Sequence, residues 1–109
     1  MNTTIAIQSW CFREFKPLPQ FFEKLKACGV SATELCAVHV DFANTASHAG
    51  VINEFKKAGV QISSIGVEYL SGNPEKDRPR FEFCKAAGLK EFSFSFGPEA
   101  MWHKFQNIE

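Results

Sequence analysis

Four side chains in this sequence have the types and positions for chemistry on a small polar molecule: Gln8, Trp10, Glu34 and His39. Each lies at or near the end of a strand-like run. Gln8 offers an amide donor and acceptor, and Trp10 an apolar platform for a sugar ring. His39 can hydrogen-bond a hydroxyl or act as an acid near neutral pH. Glu34 is the most informative. A carboxylate inside a parallel strand is costly to bury unless a partner, a polar cavity or a proton accompanies it. Arg13 reads either as an anion binder or as a solvated loop residue. Glu68 and Tyr69 follow the third strand, and periodicity does not decide which of them enters a site. His48 and His103 fall on helical stretches and read as solvated or capping residues. No phosphate loop, nucleophile elbow or HExxH helix is present.

The elements that position these groups are marked by a repeat. Lys26-Ala27-Cys28-Gly29-Val30, Lys56-Lys57-Ala58-Gly59-Val60 and Lys85-Ala86-Ala87-Gly88-Leu89 are copies of one helix ending. In each, a Lys complements the helix dipole and a Gly takes the left-handed position after the last turn. The spacing of about 30 residues is the size of one βα unit. Strands are predicted over Thr4 to Trp10, Ala32 to Cys36, Gln61 to Val67 and Glu91 to Phe96. Helices are predicted from Leu18 to Cys28, with the apolar stripe Leu18, Phe21, Phe22, Leu25 and Cys28, and from Ala46 to Ala58. The third helix is expected to be broken at Pro79, with a short turn at 74–77 and the main helix from Arg78 to Ala87. Ala100 to Glu109 reads as the start of a fourth. The pattern is α/β, (βα)3β plus that start, and it implies a parallel sheet in order 1-2-3-4 with helices on one face. Gln8, Glu34, Ser93 and Ser95 put polar groups on a strand face, which suits the interior of a barrel better than a doubly wound sheet.

Composition narrows the function. The chain has 109 residues and zero formal net charge, which argues against nucleic acid or an anionic membrane as partner. No apolar run approaches a membrane span, and the amino terminus lacks the pattern of a signal peptide, so the expected location is cytoplasmic. Cys11, Cys28, Cys36 and Cys84 lack zinc-site spacing and read as reduced thiols, with Cys28 and Cys84 on apolar helix faces. The twelve Phe residues are a large apolar payload for this length.

Several stretches, in order, resemble the sugar phosphate isomerase/epimerase family, the xylose isomerase-like TIM barrels. Ile7-Gln8-Ser9-Trp10-Cys11-Phe12-Arg13 is similar to its first-strand segment, and Thr33-Glu34-Leu35-Cys36-Ala37-Val38-His39 to its second. Lys57-Ala58-Gly59-Val60-Gln61-Ile62 is similar to the join of the second helix to the third strand, and Asp77 to Gly88 to the third helix. The resemblance implies an eight-stranded barrel of which residues 1–109 would supply the first half, strands 1 to 4. It implies metal-assisted proton transfer next to the carbonyl of a sugar or polyol, with Mn, Mg or Co held by Glu, Asp, His and Glu side chains from strands 5 to 8. On that reading the chain holds no metal site or catalytic residue of its own. Gln8, Trp10, Glu34 and His39 then line the substrate end, the isolated chain is inactive, and exposed barrel edges drive self-association. The alternatives are a non-enzymatic half-barrel binding or assembly module and, less favoured, an endonuclease-type phosphodiesterase. The latter wants metal ligands at the end of strand 4, where Ser95-Phe96-Gly97 supplies none.

Overall fold

The computed structural model of the chain describes residues 5–96. Its helices form where the apolar stripes predict them. Helix α1 (Leu18–Ala27) carries Pro19 in its first turn, where a missing N–H costs little, and buries Phe21, Phe22 and Leu25. Helix α2 (His48–Ala58) follows a 3-10 turn at Thr45–Ser47 and buries His48, Ile52 and Phe55. Helix α3 (Pro74–Ala87) starts at Asn73, whose Oδ1 accepts the Glu75 N–H at 3.0 Å. The repeated ending does what its composition implies: Gly59 and Gly88 close α2 and α3 with φ of 70° and 74°.

The expected break at Pro79 is absent, and one helix runs through it. Proline lacks the N–H that would reach the carbonyl of Glu75, a cost that local sequence alone sets at about 3 kcal/mol. Contacts outside the helix hold its first turns in place. The Asp77 carboxylate, buried in that stretch, accepts the backbone N–H groups of Ser71 and Gly72 and the Ser71 hydroxyl, each at 2.9 Å. The Arg80 guanidinium also donates to the Lys76 carbonyl at 3.1 Å.

The strands depart further from expectation. Among the described residues there are five: β1 (Ile7–Gln8), β2 (Ala32–Leu35), β3 (Gln61–Ile65), β4 (Glu68–Leu70) and β5 (Phe94–Phe96). They form two small parallel sheets, β1-β2-β3 and β4-β5. The (βα)3β half of a (β/α)8 barrel, with one sheet in order 1-2-3-4, is therefore corrected: the described residues form a small α/β fold with three helices and no barrel. The break lies in the expected third strand. Gly66 donates the last bond to β2, from its N–H to the Leu35 carbonyl at 2.9 Å, and β2 then leaves into the turn at 37–39. Beyond that point β4 pairs with β5, and Glu68 N–H bonds the Ser93 carbonyl at 3.0 Å. Gly66 has φ 140°, and a Cβ there would lie 2.6 Å from the Ser93 carbonyl oxygen, so glycine permits the crossing. The first strand is also shorter than predicted, because Ser9–Phe12 winds into a 3-10 turn. Thr4 and the expected fourth helix lie outside the described residues.

All three helices feed one core. Phe21 and Leu25 of α1, Phe55 of α2 and Phe83 of α3 meet Leu35 and Ile65 from the first sheet. Phe21, Phe55 and Phe83 are fully buried, and each contributes roughly 1.5–3 kcal/mol of transfer free energy. Cys84 joins this core, and burial pushes its thiol pKa up. Cys28 is exposed, contrary to its predicted place on the stripe, because α1 ends one residue before it. His48, expected to be solvated, is buried. Its Nε2 bonds the Phe42 carbonyl oxygen at 2.8 Å, and its ring meets Phe83 edge-on at 5.1 Å. This ties the loop after β2 to α2 and α3.

Candidate functional site

Alternation along the first sheet separates core from site. Thr33 and Leu35 are buried on the core side, and Glu34 points the other way. Register sets Gln8 of β1 beside Glu34. On the other flank the β2–β3 register shifts between Thr33 and Glu34, from Thr33 opposite Ile62 to Glu34 opposite Ser64. Ser63 is the extra residue, and the shift brings Ser64 to the carboxylate. The three side chains form a continuous row. Gln8 Nε2 donates to Glu34 Oε1 at 2.9 Å, and Ser64 Oγ donates to Glu34 Oε2 at 2.8 Å. Gln8 Nε2 also donates to the Gly66 carbonyl at 2.9 Å, tying the row to the break after β3. The partner that a half-buried Glu34 requires is thus supplied from both neighbouring strands.

Past the carboxyl ends of β1, β2 and β3 a cleft of about 390 Å³ opens, lined by Gln8, Trp10, Cys36, Val67, Glu68 and Tyr69 among others. Trp10 and Tyr69 are 53% and 65% exposed, so two aromatic faces border it. The Arg13 guanidinium lies 5.2 Å from the Trp10 ring centre and donates to the Trp10 carbonyl at 3.2 Å. Below Trp10, Ser9 Oγ accepts the Cys36 N–H at 2.9 Å and bonds Cys36 Sγ at 3.0 Å, which locks the 3-10 turn onto β2. Glu68 is buried in the wall, with Oε1 paired to Arg80 Nε of α3 at 2.9 Å. A larger hollow of about 490 Å³ lies at the other end of β3, among Lys56, Gln61, Ala87 and Leu89. It gathers helix ends and none of the polar row, so the cleft is the better candidate site.

His39 stands apart. Its ring stacks on Phe21 with centroids 4.2 Å apart, and its Nε2 bonds the Phe15 carbonyl oxygen at 2.9 Å. Its Nδ1 is buried without a hydrogen-bond partner among the described residues. Desolvation lowers its pKa below the usual histidine value. The Phe15 carbonyl opposes that shift, and so does the Phe12 carbonyl, without closing a hydrogen bond. The structure therefore pairs Gln8 with Glu34, sets Gln8 and Trp10 in the cleft wall, and leaves His39 packed beneath α1.

No protein-family model matches the chain, and no curated protein does. Among solved structures it is similar to the crystal structure of an uncharacterized protein from Parabacteroides distasonis ATCC 8503. The TM-score is 0.72 at 18% sequence identity, over 96% of this chain and 46% of that one. The likeness shows the fold alone, and the chain spans less than half of that neighbour's length.

A divalent metal does not fit the residues described. No group of three or more His, Cys, Asp or Glu converges among them. Both Glu34 oxygens are engaged by Gln8 and Ser64, Glu68 is shared with Arg80, and His39 faces Phe15. The functional groups that sequence reasoning missed are Ser64, the Gly66 carbonyl and Arg80. The pair Ser63-Ser64 inside a strand was a visible polar signal, but the register shift alone decides which serine meets Glu34. Glu68 and Tyr69 both line the cleft, which resolves the choice that periodicity left open.

Proposed function

We propose that the cleft binds a sugar or related polyol, and that the chain is the substrate-orienting part of a protein of the sugar isomerase/epimerase type. The observation that carries this reading is the Gln8–Glu34–Ser64 row ending beside exposed Trp10 and Tyr69. A Gln8 amide held in place by Glu34 and set beside aromatic faces suits a molecule with polar edges and an apolar ring face. The resemblance supplies the reaction class, proton transfer next to a carbonyl. No chemical step through a metal is assigned to these residues, because they offer no donor set for one. The same cleft suits a second reading, a binding module without catalysis.

Saturation-transfer NMR of the 109-residue chain with D-fructose and with myo-inositol tests the reading. Transfer to the ring protons of either probe is expected, and Trp10→Ala or Gln8→Ala should weaken binding about tenfold. Absence of transfer to both probes defeats the proposal. Sugar-epimerisation assays with added Mn²⁺, Mg²⁺ or Co²⁺ should show no turnover by this chain, and turnover would refute the assignment of binding alone.

A further inference from the structure

We infer that Glu68 is the carboxylate that receives a ligand hydroxyl in this cleft, with Arg80 as its positioning residue. The inference rests on the sugar-binding reading above. Of the carboxylates near the strand ends, Glu34 is the less available: each of its oxygens already accepts a hydrogen bond, and it does not line the cleft. Glu68 differs on both counts. It lines the cleft, its side chain is 7% exposed, and Arg80 Nε holds Oε1 at 2.9 Å. Its Oε2 receives no hydrogen bond from the described residues and is not sealed from solvent.

Glu68 is held at its backbone and at its carboxylate. Glu68 N–H bonds the Ser93 carbonyl, so the residue is anchored in β4, while Arg80 reaches it from α3. A carboxylate already held by a guanidinium loses little freedom when it accepts a further donor. Glu68 is the charged side chain among the lining residues, so the cleft selects a neutral hydroxyl donor and disfavours an anion at this point. Tyr69 and Trp10 line the same cleft, so a ring bearing that hydroxyl has an aromatic face to lie against.

The test measures affinity for D-fructose and for its singly deoxygenated analogues, in the unaltered chain, in Glu68→Gln and in Glu68→Gln/Arg80→Gln. The double variant removes the cation that the single one leaves unpaired, so it carries the test if Glu68→Gln fails to fold. In the unaltered chain one deoxy analogue should bind about ten- to a hundred-fold more weakly than D-fructose. In the Glu68 variants that difference should vanish. On the unaltered chain, D-fructose should also shift the Glu68 carboxyl ¹³C resonance and leave that of Glu34 in place. A carboxyl shift at Glu34 alone overturns the inference. So does an equal loss for D-fructose and every analogue, which would mean that Glu68 only shapes the wall. If binding depends on Gln8 and Trp10 while the Glu68 variants bind normally, the inference fails and the sugar-binding reading stands. If the unaltered chain binds no D-fructose, both fall.

Discussion

Gln8→Leu is the substitution whose cost follows most directly from the geometry. Leucine keeps much of the bulk and removes one nitrogen that donates twice, to Glu34 Oε1 and to the Gly66 carbonyl, each at 2.9 Å. The first bond goes to a carboxylate and the second to a neutral carbonyl. Net values are about 1.5–3 kcal/mol for the former and 0.5–1.5 for the latter. Gln8 and Glu34 are both half-buried, so water can replace part of the loss and the lower ends apply. The expected destabilisation is about 2 kcal/mol, a fall in Tm of roughly 10 °C for a domain of this size. Urea titration followed by circular dichroism measures the first quantity, and a thermal scan the second. A double-mutant cycle with Glu34→Leu isolates the pair, and a coupling of about 1–2 kcal/mol is expected. A Tm within about 2 °C of the unaltered chain, or a coupling near zero, would refute the reasoning. The row would then be a solvent-bridged surface feature, with no claim to order a ligand.

Asp77→Ala removes the acceptor of three hydrogen bonds from the 71–72 turn. It should cost about 2–4 kcal/mol and speed hydrogen exchange at the Ser71 and Gly72 amides, while unchanged exchange there would disprove the anchoring role given to Asp77. His39 gives a pH dependence. Its folded pKa lies below the unfolded value, so the unfolded chain binds the proton more tightly. The contribution is present above about pH 6.5 and lost as pH falls below it, at no more than about 1.4 kcal/mol per pH unit. Urea titrations at several pH values should show that slope flattened in His39→Gln, and an identical slope in both proteins would contradict the assignment. Phe81 and Phe94 are 51% and 49% exposed on neighbouring elements, so we predict self-association through this aromatic surface. Phe81→Lys should shift sedimentation toward the monomer; no change would place the contact elsewhere.

Much of the secondary structure was legible without coordinates, because its causes are local. The Lys-Ala-Gly endings close helices through the left-handed glycine, and that depends on a few neighbouring residues. Stripes such as Phe21, Phe22 and Leu25 marked the buried helix faces through periodicity alone. Glu34 was singled out because a strand carboxylate must find a partner, a rule that needs no tertiary information. What the rule could not supply was the identity of that partner. Ser64 reaches Glu34 through a register shift between two strands, and Gln8 reaches it from a strand 26 residues away. His39 was misplaced for the same kind of reason: a loop histidine has no periodicity, and its stacking on Phe21 depends on where α1 docks. Pro79 shows local preference overridden, since Asp77 and Asn73 hold the turns that proline weakens. The architecture itself was decided at Gly66. Sequence alone determined a run of parallel βα units. Only the tertiary structure determined that the third strand divides, because β2 turns away after Leu35 and β4 pairs with β5 instead.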